Sequence, residues 1–412
     1  MKPEPLIVGL DVGTTKICCI VGEPDSEGGI NVIGVGAAPS RGLDRGVVAN
    51  IESTIESIKE AVEQAEVMCG RELSDVYIGI SGSHIAGMTS KGMVVIRDRE
   101  IRETDIHRVV DAARAVNIPA DREVVHILPQ EFIVDDQDGI REPIGMSGLR
   151  LEAKVYIVTA AVTSAQNLIR CANRNGLHVS DIVLQQLASA EACLTQDEKE
   201  LGVAVVDIGG GTTDIAIFTE GTLKYTSVVS LGGNHLTSDV SVGMRTPARH
   251  AERIKRKYGI AHVDAVSADE MIDVPSVGGR PPRSEPRAEL ARIIQARVEE
   301  ILCAVAYQIE ESGYRDLLAG GIVFTGGTSQ LEGLVEYAEV ITGLPCRLGR
   351  PRNVKGLADI VASPQYSTGV GLMLYGLKYD GADRFRSRDG GMFRRVRTRM
   401  SEWFSELMAA MF

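Results

Sequence analysis

The sequence predicts an α/β fold made of two related halves that hold one ligand between them. An apolar, strand-like run that ends in an acidic, glycine-rich turn occurs twice, as IVGLDVGTTK over residues 7–16 and as LGVAVVDIGGGTTDIAIF over residues 201–218. A third run, IVFTGGTS over residues 322–329, ends in a Gly-Gly turn. Because the same strand-like run with an acidic, glycine-rich turn recurs at both ends of a long segment, we predict a duplicated architecture whose loops meet across an interdomain cleft.

The second copy carries the fuller set of chemical groups. Residues 201–206 and 215–218 are apolar and β-rich, which predicts two strands. The glycines between them allow several backbone N–H groups to point at one anion. Since a carboxylate does not favour a bare phosphate, we expect Asp207 to hold Mg²⁺, directly or through water, near the hydroxyl groups of Thr212 and Thr213. A single hairpin of this kind fits an ordinary turn between buried strands equally well.

The first copy repeats this order, since its apolar run ends at Asp11 and continues with a glycine and two threonines. The Gly-Gly turn of the third run suits close approach of the backbone to an adenine ring or a ribose. In this order, the three segments resemble the two phosphate motifs and the adenosine motif of the actin, Hsp70 and sugar-kinase superfamily. The resemblance implies an actin-like ATPase fold that binds ATP and Mg²⁺, the ion being held through water by Asp11 and Asp207. The nucleotide-binding residues that it implies are Asp11, Gly13, Thr14, Thr15, Lys16, Asp207, Gly209, Gly210, Gly211, Thr212, Thr213, Gly326 and Gly327.

Composition excludes several function classes. A chain of 412 residues is long enough for more than one domain. Its net charge of −12 argues against broad nucleic-acid binding. The seven cysteines include no CxxC pair, which favours reduced, buried thiols and a cytosolic setting. No secretory signal is evident, and no apolar stretch is long enough to cross a bilayer.

Residues 83–162 follow a different pattern and predict a small α+β insertion with its own core. Three strands are expected around one helix that Thr104 caps and that stops before Pro119. No acid pair, nucleophile or metal spacing stands out in this segment. We expect the charged residues 97–102 to form a solvated or protein-contacting face.

The remaining core elements follow from periodicity. Apolar positions at helical spacing predict a helix over residues 51–66, and residues 287–312 also predict a helix. Residues 274–286 are rich in Pro and Gly and predict a surface loop.

Three further sites are predicted from the superfamily resemblance. Residues 179–194 contain LQQLASAEA, and in the superfamily this connecting helix begins with an acid or amide that orients the attacking water. Gln185 or Gln186 stands nearest that place, with Gln185 preferred as the catalytic residue. Glutamine is a poor general base, so we expect weak ATP hydrolysis at most. An exposed glutamine at the start of a helix fits equally well.

The segment after the second hairpin contains another pair of glycines, Gly232 and Gly233, which predicts a tight turn that admits a γ-phosphate. On the next helix, Glu252, Lys255 and Arg256 lie at neighbouring positions. In the superfamily such a helix supplies an acid and a base to the ribose and adenine, which assigns Glu252 and Lys255 to the nucleotide. A charged, solvated helix is the alternative.

The C-terminal residues combine a polar linker with an amphipathic helix. Residues 380–391, DGADRFRSRDGG, predict the linker. Apolar residues then recur at three- and four-residue steps after a cluster of arginines, which predicts a helix lying in the membrane interface. Each arginine would add about 1 kcal/mol of attraction to anionic lipid near the surface. A helix docked on its own core or on a partner protein is the alternative. The predicted membrane-contact residues are Phe393, Arg394, Arg395, Val396, Arg397, Arg399, Met400, Trp403, Phe404, Leu407, Met408 and Met411.

An actin-like core, a small insertion and a terminal amphipathic helix together resemble the FtsA family of bacterial cell-division proteins over nearly the whole chain. The resemblance implies a peripheral protein on the cytoplasmic face of the inner membrane at the division septum. Such a protein self-associates into filaments, binds the C-terminal tail of FtsZ, anchors the FtsZ ring and recruits other divisome proteins. Two alternatives remain: a small-molecule kinase of the same superfamily, which gives no reason for the tail, and an actin-like component of pilus assembly or rod shape.

The predicted domain order has seven segments. They are residues 1–82, the first part of actin-like domain 1; 83–162, the inserted α+β subdomain; 163–200, the second part of domain 1; 201–349, actin-like domain 2; 350–379, the closing helix of domain 1; 380–391, the linker; and 392–412, the membrane-targeting helix.

Overall fold

A computed structural model describes residues 5–25, 28–267, 269–276, 278 and 280–379. The predicted linker, the predicted terminal helix and every predicted membrane-contact residue lie outside the described residues.

The elements of the first half follow one another in this order. They are β1 (Ile7–Val12), β2 (Lys16–Pro24), β3 (Ile30–Pro39), β4 (Leu43–Asp44), β5 (Val47–Val48), α1 (Ile51–Cys69), β6 (Asp75–Ile80), β7 (Ala86–Val95), α2 (Glu103–Arg114), β8 (Arg122–Val134), β9 (Gln137–Ile140), β10 (Arg150–Ala161), α3 (Val162–Asn173), β11 (His178–Leu184), α4 (Gln185–Cys193) and α5 (Gln196–Leu201).

The second half continues with the following elements. They are β12 (Val203–Ile208), β13 (Thr213–Thr219), β14 (Thr222–Val229), α6 (Gly233–Gly243), α7 (Ala248–Tyr258), β15 (Met271–Val274), β16 (Arg283–Pro286), α8 (Arg287–Ser312), β17 (Ile322–Thr325), α9 (Leu334–Thr342), β18 (Cys346–Leu348), β19 (Val354–Gly356), α10 (Ala358–Val361) and α11 (Ser367–Tyr379).

Two sheets with related connectivity organise the molecule, and we call the body around each sheet a lobe. The first sheet has six strands in the order β11-β6-β1-β2-β3-β19, and the second has five in the order β14-β13-β12-β17-β18. In each, an antiparallel hairpin, β1–β2 or β12–β13, is extended by a parallel neighbour, β6 or β17. The duplication predicted from two sequence motifs therefore extends to strand pairing, and the predicted duplicated α/β fold is confirmed.

Helix α1 shows how local sequence places a helix on the first sheet. It begins where the Asn50 side chain accepts a hydrogen bond from the Ser53 N–H, and it ends at Gly70, whose left-handed backbone places its own N–H on the Glu66 carbonyl. Its buried residues recur at helical spacing and face the first sheet. They are Thr54, Ser57, Ile58, Ala61, Val62 and Ala65.

The insertion has its own four-stranded sheet, β7-β10-β8-β9, with α2 on one face. Both ends of the insertion connect to the first lobe, but the insertion also contacts the second lobe. The Gln130 amide donates to the Leu223 carbonyl at 2.9 Å, and the Thr226 N–H donates to the Tyr156 hydroxyl at 2.9 Å. Arg141 pairs with both carboxylate oxygens of Glu200 at 2.9 and 2.8 Å.

Two local expectations are wrong, each because a helix-capping interaction was overlooked. Leu201 is the last residue of helix α5 and does not begin a strand. The helix begins at the reciprocal cap between Thr195 and Glu198 and ends at Gly202, whose N–H donates to the Glu198 carbonyl. Thr104 does not cap α2, which begins at Glu103. Instead, the Asp105 carboxylate accepts from the Arg102 N–H at 3.1 Å.

The segment 274–286 is not a loop throughout. Val274 pairs with Arg283 as β15 and β16 form an antiparallel hairpin that leads directly into α8. Pro286 itself lies within β16, where it pairs with Met271. Helix α8 itself spans residues 287–312, as predicted.

Candidate nucleotide site between the two hairpins

The two acidic turns have the same backbone geometry. The Gly13 N–H donates to the Lys16 carbonyl at 3.1 Å, and the Gly209 N–H donates to the Thr212 carbonyl at 2.9 Å. Each turn follows a fully buried strand that carries its acid as the last residue but one. Asp11 and Asp207 therefore occupy equivalent places, and each is only 8 % exposed.

The tips of the two turns meet, which places both acids at one junction between the lobes. A Cβ atom added to Gly211 would lie 2.6 Å from Thr14 Oγ1, and one added to Gly210 would lie 2.7 Å from Thr15 Oγ1. Real Cβ atoms do not approach so closely. The glycines of the second turn thus leave room for the threonines of the first.

The acids of the two turns are held differently. Asp207 Oδ2 accepts from the Ser189 hydroxyl at 2.6 Å and from the Thr368 hydroxyl at 3.1 Å. Asp11 Oδ1 accepts from the Gln185 amide at 3.3 Å. Burial raises the pKa of Asp11 to about 7, although the positive charge of Lys16 acts in the opposite direction. Burial also raises the pKa of Asp207.

A third buried acid, Asp214, joins this junction and was not singled out as a site residue from the sequence. It pairs with Asp207 across the β12–β13 hairpin. It accepts hydrogen bonds from the hydroxyl of Ser81, in the first lobe, and from Thr212 Oγ1 at 3.0 Å. Burial, with the negative charges of Asp207 and Asp11, raises the pKa of Asp214 to about 7. The sequence signal was available, since Asp214 directly follows Thr213 in the second motif, although the first hairpin has Cys18 at the equivalent position.

The donor set fits a cation that keeps part of its water shell. Asp11, Asp207 and Asp214 supply hard oxygen ligands in one buried region, which suits Mg²⁺. Within the described ranges, no group of three or more His, Cys, Asp or Glu side chains is close enough to hold a metal ion directly. Phosphate oxygens and water would therefore complete the coordination.

The predicted adenosine turn lies against the second hairpin. Gly326 has φ +87°, and a Cβ there would overlap the Asp207 carboxylate and lie 2.6 Å from the Ile208 carbonyl oxygen. Thr328 Oγ1 donates to the Gly209 carbonyl at 2.9 Å. Gly327 is less crowded, because its nearest neighbour, Gln365 Cβ, would be 3.8 Å from an added Cβ. Only the first glycine of the pair is sterically required.

Gly232 and Gly233 begin helix α6 rather than forming a free turn. The N–H groups of Gly233 and Asn234 donate to the carbonyls of Gly209 and Gly210 at 2.9 and 2.8 Å. These N–H groups are therefore bonded to the second hairpin and do not point at an anion. The start of α6 buttresses the turn that carries Gly209.

Lys255 and Glu252 reach the same place from helix α7. Lys255 Nζ donates to the Gly233 carbonyl at 2.9 Å and pairs with Glu252 at 2.6 Å. Glu252 also pairs with Arg256 at 3.1 Å. The predicted pair is thus brought to the second hairpin, where its charges are largely satisfied by each other.

Lys16 and Gln185 complete the set on the first lobe. The Lys16 ammonium donates to the Gln365 carbonyl and lies 4.0 Å from the centre of the Tyr366 ring. Of the two glutamines considered, Gln185 contacts Asp11. Gln186 is fully buried and faces none of the acids through a hydrogen bond. Ser189 and Thr368, which hold Asp207, lie inside helices and carry no sequence signal.

No helix in the described part of the chain is long and apolar enough to cross a membrane.

Solved structures define the class of protein. The PilM–PilN type IV pilus biogenesis complex contains a chain that matches with a TM-score of 0.66 at 16 % identity, over 91 % of this chain and 99 % of that one. MreB5 of Spiroplasma citri bound to AMPPNP matches with a TM-score of 0.55 at 15 % identity, over 92 % and 98 %. At these identities the likeness concerns the fold alone, and it makes this a protein of the actin-like ATPase fold.

Sequence relatives identify the family. The family model for "Cell division protein FtsA" matches residues 204–371, and the model for "SHS2 domain inserted in FTSA" matches residues 82–159. Cell division protein FtsA of Pseudomonas aeruginosa is 53 % identical over 90 % of this chain and 89 % of its own length. Its counterpart in Escherichia coli K12 is 41 % identical over 98 % and 96 %. The chain belongs to the FtsA family of cell-division proteins.

Proposed function

We propose that the chain binds ATP with Mg²⁺ between its two hairpins and acts as a membrane-anchored, polymerising adaptor in cell division. One observation carries the nucleotide part: two acidic glycine turns with identical backbone hydrogen bonding meet tip to tip, with three buried acids at the junction. Several ionised carboxylates buried in one region are unfavourable without a cation, even where hydroxyl and amide groups donate to them. A Mg²⁺–polyphosphate ligand supplies that cation, and related MreB5 was solved with AMPPNP and with ADP.

The chain's own residues divide the work between them. Asp11 and Asp207 would hold the ion through its waters, and Ser189 and Thr368 fix the Asp207 carboxylate. Gln185 stands beside Asp11, where its amide positions a water molecule but does not remove its proton efficiently. Bound Mg²⁺ would neutralise charge on the phosphates. Weak hydrolysis at most follows, so nucleotide serves mainly to hold the lobes together.

Family membership and the C-terminal sequence support the adaptor part. In this proposal the helix over residues 392–412 lies in the cytoplasmic leaflet of the inner membrane at the septum, and its arginines attract anionic lipid. The actin-like body self-associates into filaments, binds the tail of FtsZ and recruits other divisome proteins. Electron microscopy of the full chain with ATP on an anionic lipid monolayer tests filament formation directly.

Calorimetric titration of the full chain with ATP tests the nucleotide site. We expect ATP to bind in the presence of Mg²⁺ and to bind about tenfold or more weakly when EDTA removes the ion or in Asp207→Asn. Asp273→Asn, which changes an exposed acid on β15, is the matched control and should bind as the wild type does. Absence of ATP binding to the wild type, or equal affinity in Asp207→Asn, would refute this part.

Flotation with anionic liposomes tests the membrane part. The full chain should float, whereas a chain ending at Asp380 and the variant Trp403→Glu should stay in solution. Both shortened and substituted chains should retain ATP binding. If the chain ending at Asp380 floats as well as the full chain does, the terminal helix is not the anchor.

A further inference from the structure

A two-residue hairpin turn between β3 and α1 has an unusual residue at its first position. Strands β4 and β5 pair through Leu43 with Val48 and Asp44 with Val47, which leaves Arg45 and Gly46 as the turn. Both have positive φ, at 47° for Arg45 and 80° for Gly46. Tight hairpins use this backbone because it matches strand twist, and they favour Asn, Asp or Gly at the first position.

Arginine is a poor choice there for backbone reasons alone. Its Cβ crowds the following carbonyl in the left-handed region, where glycine has no such conflict. Strained backbone positions cluster at functional sites, so the surroundings of the turn decide whether this side chain has a use. The use should be sought in what the turn touches.

The turn contacts the β1–β2 hairpin, which carries Asp11 and the first acidic turn. The Gly46 N–H donates to Thr14 Oγ1 at 3.0 Å, and a Cβ on Gly46 would lie 3.1 Å from the Ser81 carbonyl oxygen. Ser81 in turn donates its hydroxyl to Asp214 of the second lobe. Arg45 therefore stands at the edge of the junction where the two lobes and their acids meet.

The Arg45 guanidinium is available for a ligand. Its side chain is 60 % exposed, and it pairs with Asp44 at 3.9 Å, whose side chain is 76 % exposed. A pair so open to water holds its partners weakly. The two predicted lysines of the site are engaged otherwise, Lys16 by the Gln365 carbonyl and Lys255 by Glu252.

We propose that Arg45 contacts the terminal phosphate of bound ATP and makes the site discriminate ATP from ADP. The inference rests on the proposed nucleotide site and adds a residue to it. The terminal phosphate brings the charge that distinguishes the two nucleotides. A planar guanidinium matches phosphate oxygens in a two-pronged geometry that an ammonium group cannot reproduce. The hydrogen bond between Gly46 and Thr14 fixes the turn beside the proposed phosphate site, and the exposed arginine side chain is held only by its weak pair with Asp44.

Parallel titrations of ATP and ADP, with Mg²⁺, test the proposal on the full chain. In Arg45→Gly we expect ATP affinity to fall about tenfold or more, while ADP affinity changes less than about twofold. Arg45→Lys should lose part of the preference for ATP over ADP, because lysine keeps the positive charge but lacks the two-pronged geometry of the guanidinium group. Arg45→Gly also relieves the backbone, so its Tm should equal or exceed that of the wild type, and unfolding cannot explain the loss.

Arg245→Gly is the matched control. Arg245 also has a left-handed backbone, with φ 51°, but it follows the far end of α6 from the site. It should bind both nucleotides as the wild type does. Equal weakening of ATP and ADP in Arg45→Gly, or no change in either, overturns the role of Arg45 while leaving the ATP site intact. Failure of the wild type to bind either nucleotide overturns the proposed site itself.

Discussion

The two hairpins share a backbone but not a chemistry. In both, a strand ends in an acid and the turn closes with the same N–H to carbonyl hydrogen bond. Opposite the acid on the returning strand, however, the first hairpin has Cys18 where the second has Asp214. The tips differ too, with threonines in the first turn and glycines in the second. The two hairpins therefore share their strand pairing and turn hydrogen bond, whereas the different residues at their tips allow one turn to fit against the other.

The difference at the strand pair decides where negative charge collects. Burial raises the pKa of the Cys18 thiol to about 12, so that it stays neutral. The pKa of Asp214 is about 7, so it ionises near neutral pH. The second hairpin therefore carries two acids and the first only one. This asymmetry favours a cation at the second hairpin, and it leads to four testable predictions about the two hairpins.

Filling the space between the turns should have the largest effect. In Gly210→Val, the new side chain would occupy the volume of the Thr15 side chain, so the turns cannot meet. We expect ATP affinity to fall about a hundredfold or more. The double variant Gly210→Val with Thr15→Gly, which moves the bulk to the other turn, should recover much of the loss in calorimetric titration. No recovery would mean that the turns do not interlock.

Asp214→Asn should change how stability depends on pH. The native pKa values of Asp11 and Asp214 are about 7, above the ordinary 3.8, so the folded chain binds more protons than the unfolded chain between these values. The nucleotide-free chain should therefore lose stability as pH rises toward about 7 and change little above it. At about pH 8, Asp214→Asn should be more stable than the wild type by about 1 kcal/mol, with less difference near pH 6.

Urea unfolding of the nucleotide-free chain at both pH values measures this effect. Asp273→Asn, at an exposed site on β15, provides the control and should leave the pH dependence unchanged. A wild-type chain that grows more stable from pH 6 to pH 8 would contradict the raised pKa values.

The side chains that hydrogen-bond to the two acids should differ in how much they contribute to ATP affinity. Ser189→Ala removes a buried hydroxyl 2.6 Å from Asp207, and we expect ATP–Mg²⁺ affinity to fall about threefold to tenfold. Gln185→Ala removes a longer contact of 3.3 Å to Asp11, so affinity should change less than about twofold. Phosphate release should distinguish them further, since Gln185→Ala abolishes whatever hydrolysis the wild type shows. A larger binding defect in Gln185→Ala would reverse the comparison.

The last prediction concerns folding stability rather than nucleotide affinity, and it involves the side chain that holds the β4–β5 hairpin against the first turn. Thr14→Val keeps the shape but removes the oxygen that accepts from the Gly46 N–H at 3.0 Å. The free energy of unfolding should fall by about 1 kcal/mol. Thr14→Ser keeps the acceptor and should lie closer to the wild type in urea unfolding. The corresponding residue of the other turn, Gly210, has no side chain to make such a bond.

Local patterns predicted most of the frame. Helix α8 has its predicted bounds because its apolar residues recur at helical spacing over a long run. Errors arose where one polar side chain decided a boundary, as Asp105 does for α2. The short β15–β16 hairpin was missed because four-residue strands give too little alternation to read.

The sequence by itself determined that a strand, an acid and a glycine turn occur twice, because these features depend only on neighbouring residues and on what glycine allows the backbone. It also placed the Gly-Gly turn after β17 and the bounds of helix α8. Only the tertiary structure decided that the threonines of one turn fill the glycine gaps of the other, that Ser81 meets Asp214 and that Gln185 rather than Gln186 faces Asp11. These contacts join residues far apart in the chain, and their geometry is set by how the two lobes pack.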